Sequence, residues 1–328
     1  MLVFLLLSCV SGALETGVLF YGWANSLPWW EVLALALMYQ LGNLLSLFVR
    51  NRRAALAVSC VVVLLFTALY ALFQIRWFLF ITTACCSLSI QIGRSAYKST
   101  CRTWIKRSFR VLGFALSPFA ALIMPWFIAA AGAAALVAAG SHSSPVKRRK
   151  PFKIYSVMIF HQIHYFVYIY ALVLWVLCQN TGITATVILF VAGWAVYILP
   201  QAISGRFPQL NRAAMFFVCH TFLSLVMLAI TVCAAANLTT AVCGLWILTG
   251  LGGGSVFCIE SLSPRYERAE MDFSENLGHV LGASLAVILA LPLRDACFPF
   301  CAAASFISVI TALLCGVSVR KKGGADHV

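Results

Sequence analysis

Apolar runs about as long as a membrane crossing recur from one end of the chain to the other, and this constrains the fold more than any other feature. A helix rises 1.5 Å per residue, so roughly 20 apolar residues cover the ~30 Å hydrocarbon core. Polar or turn-rich breaks divide the sequence into twelve such runs, near 2–22, 29–49, 54–74, 77–97, 107–123, 124–140, 154–177, 183–203, 213–234, 239–260, 275–293 and 297–318. A soluble domain carries about 25% charged residues. Here 10% are charged and 62% are hydrophobic. A soluble core has no room for that much apolar surface, so much of it must meet lipid. Lipid offers the backbone no hydrogen-bond partner, which leaves helices as the spanning element for runs of this length.

The charges test the count. The net charge is +14, from 23 Lys+Arg against 9 Asp+Glu. In a soluble protein that excess would suggest nucleic acid. Here the cations sit in short clusters between apolar runs, and no nucleic-acid partner is expected. All but two of the 23 basic residues gather around the ends of even-numbered runs; Arg76 and Arg294 are the exceptions. Under the positive-inside rule this places both termini in the cytoplasm. One miscounted span would invert every later loop and spoil the alternation. The same parity argument favours two short spans over 107–140, because the loops on both sides of it are basic, with a re-entrant pair as the alternative.

The longest polar linker, 141–153, carries Lys147-Arg148-Arg149-Lys150 and follows run six. The sequence therefore predicts an all-α polytopic membrane protein of about twelve transmembrane helices in two six-helix bundles. The first bundle covers 1–140, the second 154–319, and 320–328 form a short cytoplasmic tail. A plasma (inner) membrane location is expected, with the bilayer as constant partner. A weak internal repeat fits the division. Arg53-Ala54-Ala55-Leu56, with Asn51 upstream and Cys60 downstream, matches Arg212-Ala213-Ala214-Met215, with Asn211 and Cys219. Val111-Leu112-Gly113 near the start of run five matches Val280-Leu281-Gly282 near the start of run eleven.

With six plus six spans, a basic central loop and both ends inside, the chain resembles the major facilitator superfamily. That family carries a Gly, an Asp and basic residues in the loop between spans two and three. Here Gly42 and Arg50 fit, with Arg53 and its repeat partner Arg212, while Ser46 stands where the family's Asp would be. The resemblance implies a gating loop at Gly42, Arg50, Arg53 and Arg212. It also implies secondary active transport by alternating access around a central cavity.

Ionisable groups at membrane depth are costly, which makes each a functional candidate. Glu15 is the one charge in the first run. A carboxyl there suits proton coupling or binding of a cationic group. Run seven holds the densest polar and aromatic cluster, in which His161, His164, Tyr165 and Tyr168 share a helical face by i+3 and i+4 spacing. That face should turn inward, where it can bind solute or titrate with a proton gradient. Two imidazoles alone do not complete a metal site, so no metal site and no cofactor are assigned. Arg94 and Lys98, one turn apart at the end of run four, either attract an anionic solute or snorkel to the surface. The Gly-rich run at 250–254 lacks the Lys-Ser/Thr of a nucleotide-binding loop and reads as close helix packing. The expected function is secondary transport of a small solute, with proton-coupled efflux as one form. A lipid or prenyl-processing membrane enzyme and a lipid flippase stay open as alternatives.

Overall fold

The computed structural model describes residues 2–96, 103–140, 153–179, 181–207, 209–258, 268–293 and 298–323. Lys98, residues 141–152 of the basic linker and Arg294 lie outside them. The chain divides into two compact units, Met1–Pro151 and Phe152–Val328. Unit 1 contains α1 (Leu2–Ala24), α2 (Trp29–Leu45), α3 (Arg52–Phe73), α4 (Arg76–Ala96), α5 (Thr103–Leu122) and α6 (Met124–Gly140). Unit 2 contains α7 (Ser156–Ile163), a π turn (Val167–Ala171), α8 (Leu172–Cys178), α9 (Ile183–Arg206), α10 (Arg212–Ala235), α11 (Thr239–Gly254), α12 (Arg268–Leu293) and α13 (Phe298–Gly323). The described residues contain no strand.

Seven helical stretches among the described residues are long and apolar enough to cross a membrane, including α1, α3, α9, α10 and the composite Ser156–Cys178. The chain is an integral membrane protein. The helices are patterned for lipid rather than water. On α3 the exposed residues Val58, Val61, Leu65 and Leu72 form an apolar stripe, while Ser59, Cys60 and Thr67 turn inward. A water-soluble helix has the reverse arrangement. The 107–140 region forms two helices that break at Ile123, and α6 takes Pro125 in its first turn, where a missing N–H costs nothing.

The two repeated segments perform matching local tasks in their own units. Asn51 caps α3 by accepting from the Ala54 N–H, and Asn211 caps α10 by accepting from the Ala213 and Ala214 N–H groups. Gly113 seats α5 on α1: a Cβ there would overlap the Cys9 carbonyl oxygen. Gly282 seats α12 on α7 in the same way, against the carbonyl of Ile163. Each glycine lets two backbones approach to a distance that any side chain would forbid.

Candidate metal centre

Span seven is not one continuous α-helix. α7 ends at Ile163, His164 occupies its C-cap, and a π turn follows before α8 resumes. π segments are uncommon and often mark functional sites, because they re-aim side chains while keeping the helix axis. Trp246 of α11 secures this one by donating its indole N–H to the Tyr168 carbonyl at 2.9 Å.

The break presents His161 and His164 to α10, where His220 completes a group of three. The ring centroids of the three imidazoles form a nearly equilateral triangle, with sides of 5.1 Å, 5.0 Å and 5.5 Å. One nitrogen from each ring lies within 4.8 Å of the other two. All three residues are buried. The nitrogens of a tetrahedral site with M–N bonds of about 2.0 Å stand roughly 3.3 Å apart. His161 Nδ1 and His220 Nε2 are 2.9 Å apart already. Modest side-chain adjustment therefore brings the triad to ligating distance.

The hydrogen bonds around His220 set its tautomer. Its Nδ1 faces the Phe216 carbonyl at 3.0 Å, and a carbonyl can only accept. Nδ1 therefore carries the proton. Ser255 Oγ stands 3.3 Å from the same nitrogen and sends its own proton to the Gly252 carbonyl. Nε2 of His220 therefore accepts a hydrogen bond from Nδ1 of His161 at 2.9 Å, a bond that an ion between the rings would replace. A donor nitrogen anchored to a carbonyl, with the unprotonated nitrogen on the opposite side of the ring, is the usual outer-shell arrangement of a metal-binding imidazole. His164 is more unusual. It is fully buried, and neither ring nitrogen has a hydrogen-bond partner among the described residues. Leaving buried polar atoms unsatisfied costs about 1–3 kcal/mol. A ligand between the three rings would remove that cost.

Aromatic and polar groups surround the triad. Tyr168 packs at 5.9 Å from His164, and Tyr165 packs against both Tyr168 and His279. His279 of α12 meets the Gln162 carbonyl oxygen through Nε2 at 2.9 Å. Beyond Tyr168, a small cavity of about 30 Å³ lies between the π turn, α9 and α11, with Trp194, Tyr197 and Trp246 on its walls.

Of the residues singled out from sequence, the structure gathers His161, His164, Tyr165 and Tyr168 at this centre. His220 and His279 were not singled out. Their signal was present, since each is an imidazole inside an apolar run. What the sequence does not display is that α10 and α12 bring them to span seven.

Glu15 and Arg94 belong to unit 1. Glu15 is fully buried and bonded at both oxygens, to Arg110 of α5 at 2.6 Å and to the Gln40 amide at 3.1 Å. Gln40 leads on to Asn43, and Asn43 to Ser87, so a polar network links α1, α2, α4 and α5. Arg94 lies over the Phe4 ring at 5.4 Å and donates to Gln91. Gly42 falls within α2, not in a loop, where a Cβ would strike the Ala84 carbonyl of α4. Arg50, Arg53 and Arg212 are exposed near the starts of α3 and α10.

No protein-family model matches this sequence, and neither does any curated protein. Among solved structures the chain is similar to a bacterial metal transporter, with a TM-score of 0.52 at 14% identity, over 97% of this chain and 98% of that one. The similarity is one of fold.

Proposed function

We propose that the chain is a secondary transporter of a transition-metal cation, and that His161, His164 and His220 hold the ion in transit. The observation that carries this reading is the buried imidazole triad, with His220 pre-set as a ligand and His164 otherwise unsatisfied. Its placement beside a helix break supports it further, since transporters bind their cargo where spanning helices are interrupted. A fold shared with a bacterial metal transporter agrees. Three neutral nitrogen donors suit zinc, cobalt, nickel and copper rather than magnesium or calcium, which take oxygen ligands.

In this reading twelve helices span the membrane, both termini are cytoplasmic, and the ion moves by alternating access as in the major facilitator superfamily. Tyr165 and Tyr168 shape the approach to the triad. Glu15 forms a second centre in unit 1. Its ion pair with Arg110 is where we place the proton-coupling role. Arg94 and Lys98 take a role in attracting solute or coupling to protons, and the basic residues Arg50, Arg53 and Arg212 take the gating role.

The test is uptake by proteoliposomes containing the full chain, over a panel of Zn²⁺, Co²⁺, Cu⁺, Mg²⁺ and Ca²⁺. Transition-metal flux that disappears in H161A/H164A/H220A supports the proposal. Flux of Mg²⁺ or Ca²⁺ equal to that of Zn²⁺, or metal flux indifferent to the triple substitution, contradicts it.

A further inference from the structure

Directly beside the triad, unit 2 packs a cluster unusually rich in sulfur. Its buried members are Tyr155, Val157, Met158, Phe216, Val256, Cys258, Met271 and Cys315, with Tyr197, Met215, Phe257 and Leu314 against them. Five of these side chains end in a thioether or a thiol. Cores normally use methionine sparingly, as a gap-filler. Here Met158, Met215 and Met271 come from the first turns of three different helices, α7, α10 and α12. Cys258 follows the end of α11, and Cys315 lies in the second half of α13. All five belong to one packed cluster.

The cluster is continuous with the imidazoles. Met158 lies three residues before His161, on the same helical face. Phe216 belongs to the cluster and stacks on both His220, at 3.9 Å, and His161, at 5.9 Å. The Met158 sulfur already accepts a hydrogen bond from Gln162, whose other amide atom holds His279.

We propose that this cluster is a second station for the ion, and that it narrows the cargo to a soft monovalent cation of the copper(I) class, ligated by Met158, Met215 and Met271 with the thiols of Cys258 and Cys315. Thioethers select copper(I) and bind zinc poorly, whereas imidazoles accept both. A thioether has no proton to lose, so three methionines provide a ligand set that works at any pH. The ion is a cargo handed between nitrogen and sulfur donors, and its oxidation state does not change. The station's role in transport rests on the transporter reading above, but binding of the ion does not.

The experiment is a competition titration of purified full-length protein with Cu⁺, buffered by a chromophoric copper(I) chelator, alongside a Co²⁺ titration of the same samples. The test variant is M158L/M215L/M271L, in which volume is nearly conserved. Copper(I) affinity should fall at least tenfold in this variant while Co²⁺ affinity stays unchanged, and the Co²⁺ arm shows that the fold is intact. M158L alone is the second variant, with a smaller loss. Thiols elsewhere in the chain are common to all samples and cancel in the difference. Unchanged copper(I) affinity in both variants overturns the sulfur station. If the imidazole-dependent flux of Zn²⁺ or Co²⁺ persists in that case, the transporter reading survives and only the narrowing to copper(I) fails.

Discussion

His220 decides whether unit 2 has a pair of imidazoles or a ligand set. Its Nδ1 proton is committed to the Phe216 carbonyl, with Ser255 beside it, and the unprotonated Nε2 faces His161. Ser255→Ala removes one of these outer supports and should weaken Co²⁺ binding about tenfold, the lower end for an outer-shell loss. Calorimetric titration checks this, and an unchanged dissociation constant would show that Ser255 does not orient the ring. In unit 1 the corresponding question concerns Glu15. Its carboxylate has no solvent exposure, while Arg110 keeps 27% of its side chain exposed. Breaking a buried pair from one side leaves a charge uncompensated and costs roughly 3 kcal/mol or more. Glu15→Gln should therefore lower the thermal transition in detergent markedly, and E15Q/R110M should recover most of the loss. Equal transitions for the parent and the single variant would mean that the pair adds nothing to stability. Glu15 was legible in the sequence as a costly residue at membrane depth. Arg110 was legible only as one member of a basic cluster, because 95 residues separate the partners and nothing in the pattern of either run points to the other. His220 was hidden for the same reason.

At the scale of elements, the sequence displayed the helices better than their interruptions. The apolar runs and their breaks mark where helices begin and end, and Asn51 and Asn211 stand where caps are needed. The π turn at Val167–Ala171 left no such mark. Its residues, Val-Tyr-Ile-Tyr-Ala, suit an ordinary helix, and the distortion comes from tertiary contacts such as the Trp246 bond to the Tyr168 carbonyl. Gly113 and Gly282 show the opposite case. They stand at matching places in a short repeated segment, and each presses one helix onto another. Gly282 meets α7 at Ile163, the residue before His164. Gly282→Val should displace α12 from that break, destabilise the protein by about 1–3 kcal/mol as other overpacked contacts do, and weaken Co²⁺ binding without touching a ligand. If binding and thermal stability both match the parent, α12 does not position the triad.

At the scale of the molecule, charge and apolar content place the chain in a membrane, and its two compact units fold around different polar centres. Unit 1 holds a buried acid matched by a base and amides, and unit 2 holds a cluster of imidazoles. Arg76, one of two basic residues outside the alternating pattern, is paired with Glu31 at 2.6 Å. The proposed topology puts the linker at Lys147 in the cytoplasm. An epitope inserted there should be reached by antibody only after the cells are permeabilised, and labelling of intact cells would reverse the orientation.

The most direct measurement of the central claim is the visible spectrum of Co²⁺ bound to the purified full-length chain. Three imidazoles closing on one ion predict an intense tetrahedral d–d band that saturates at one Co²⁺ per chain and is absent from the His220→Ala variant. A weak octahedral spectrum, or a band that survives the loss of His220, would contradict the assignment of these three histidines to one metal centre.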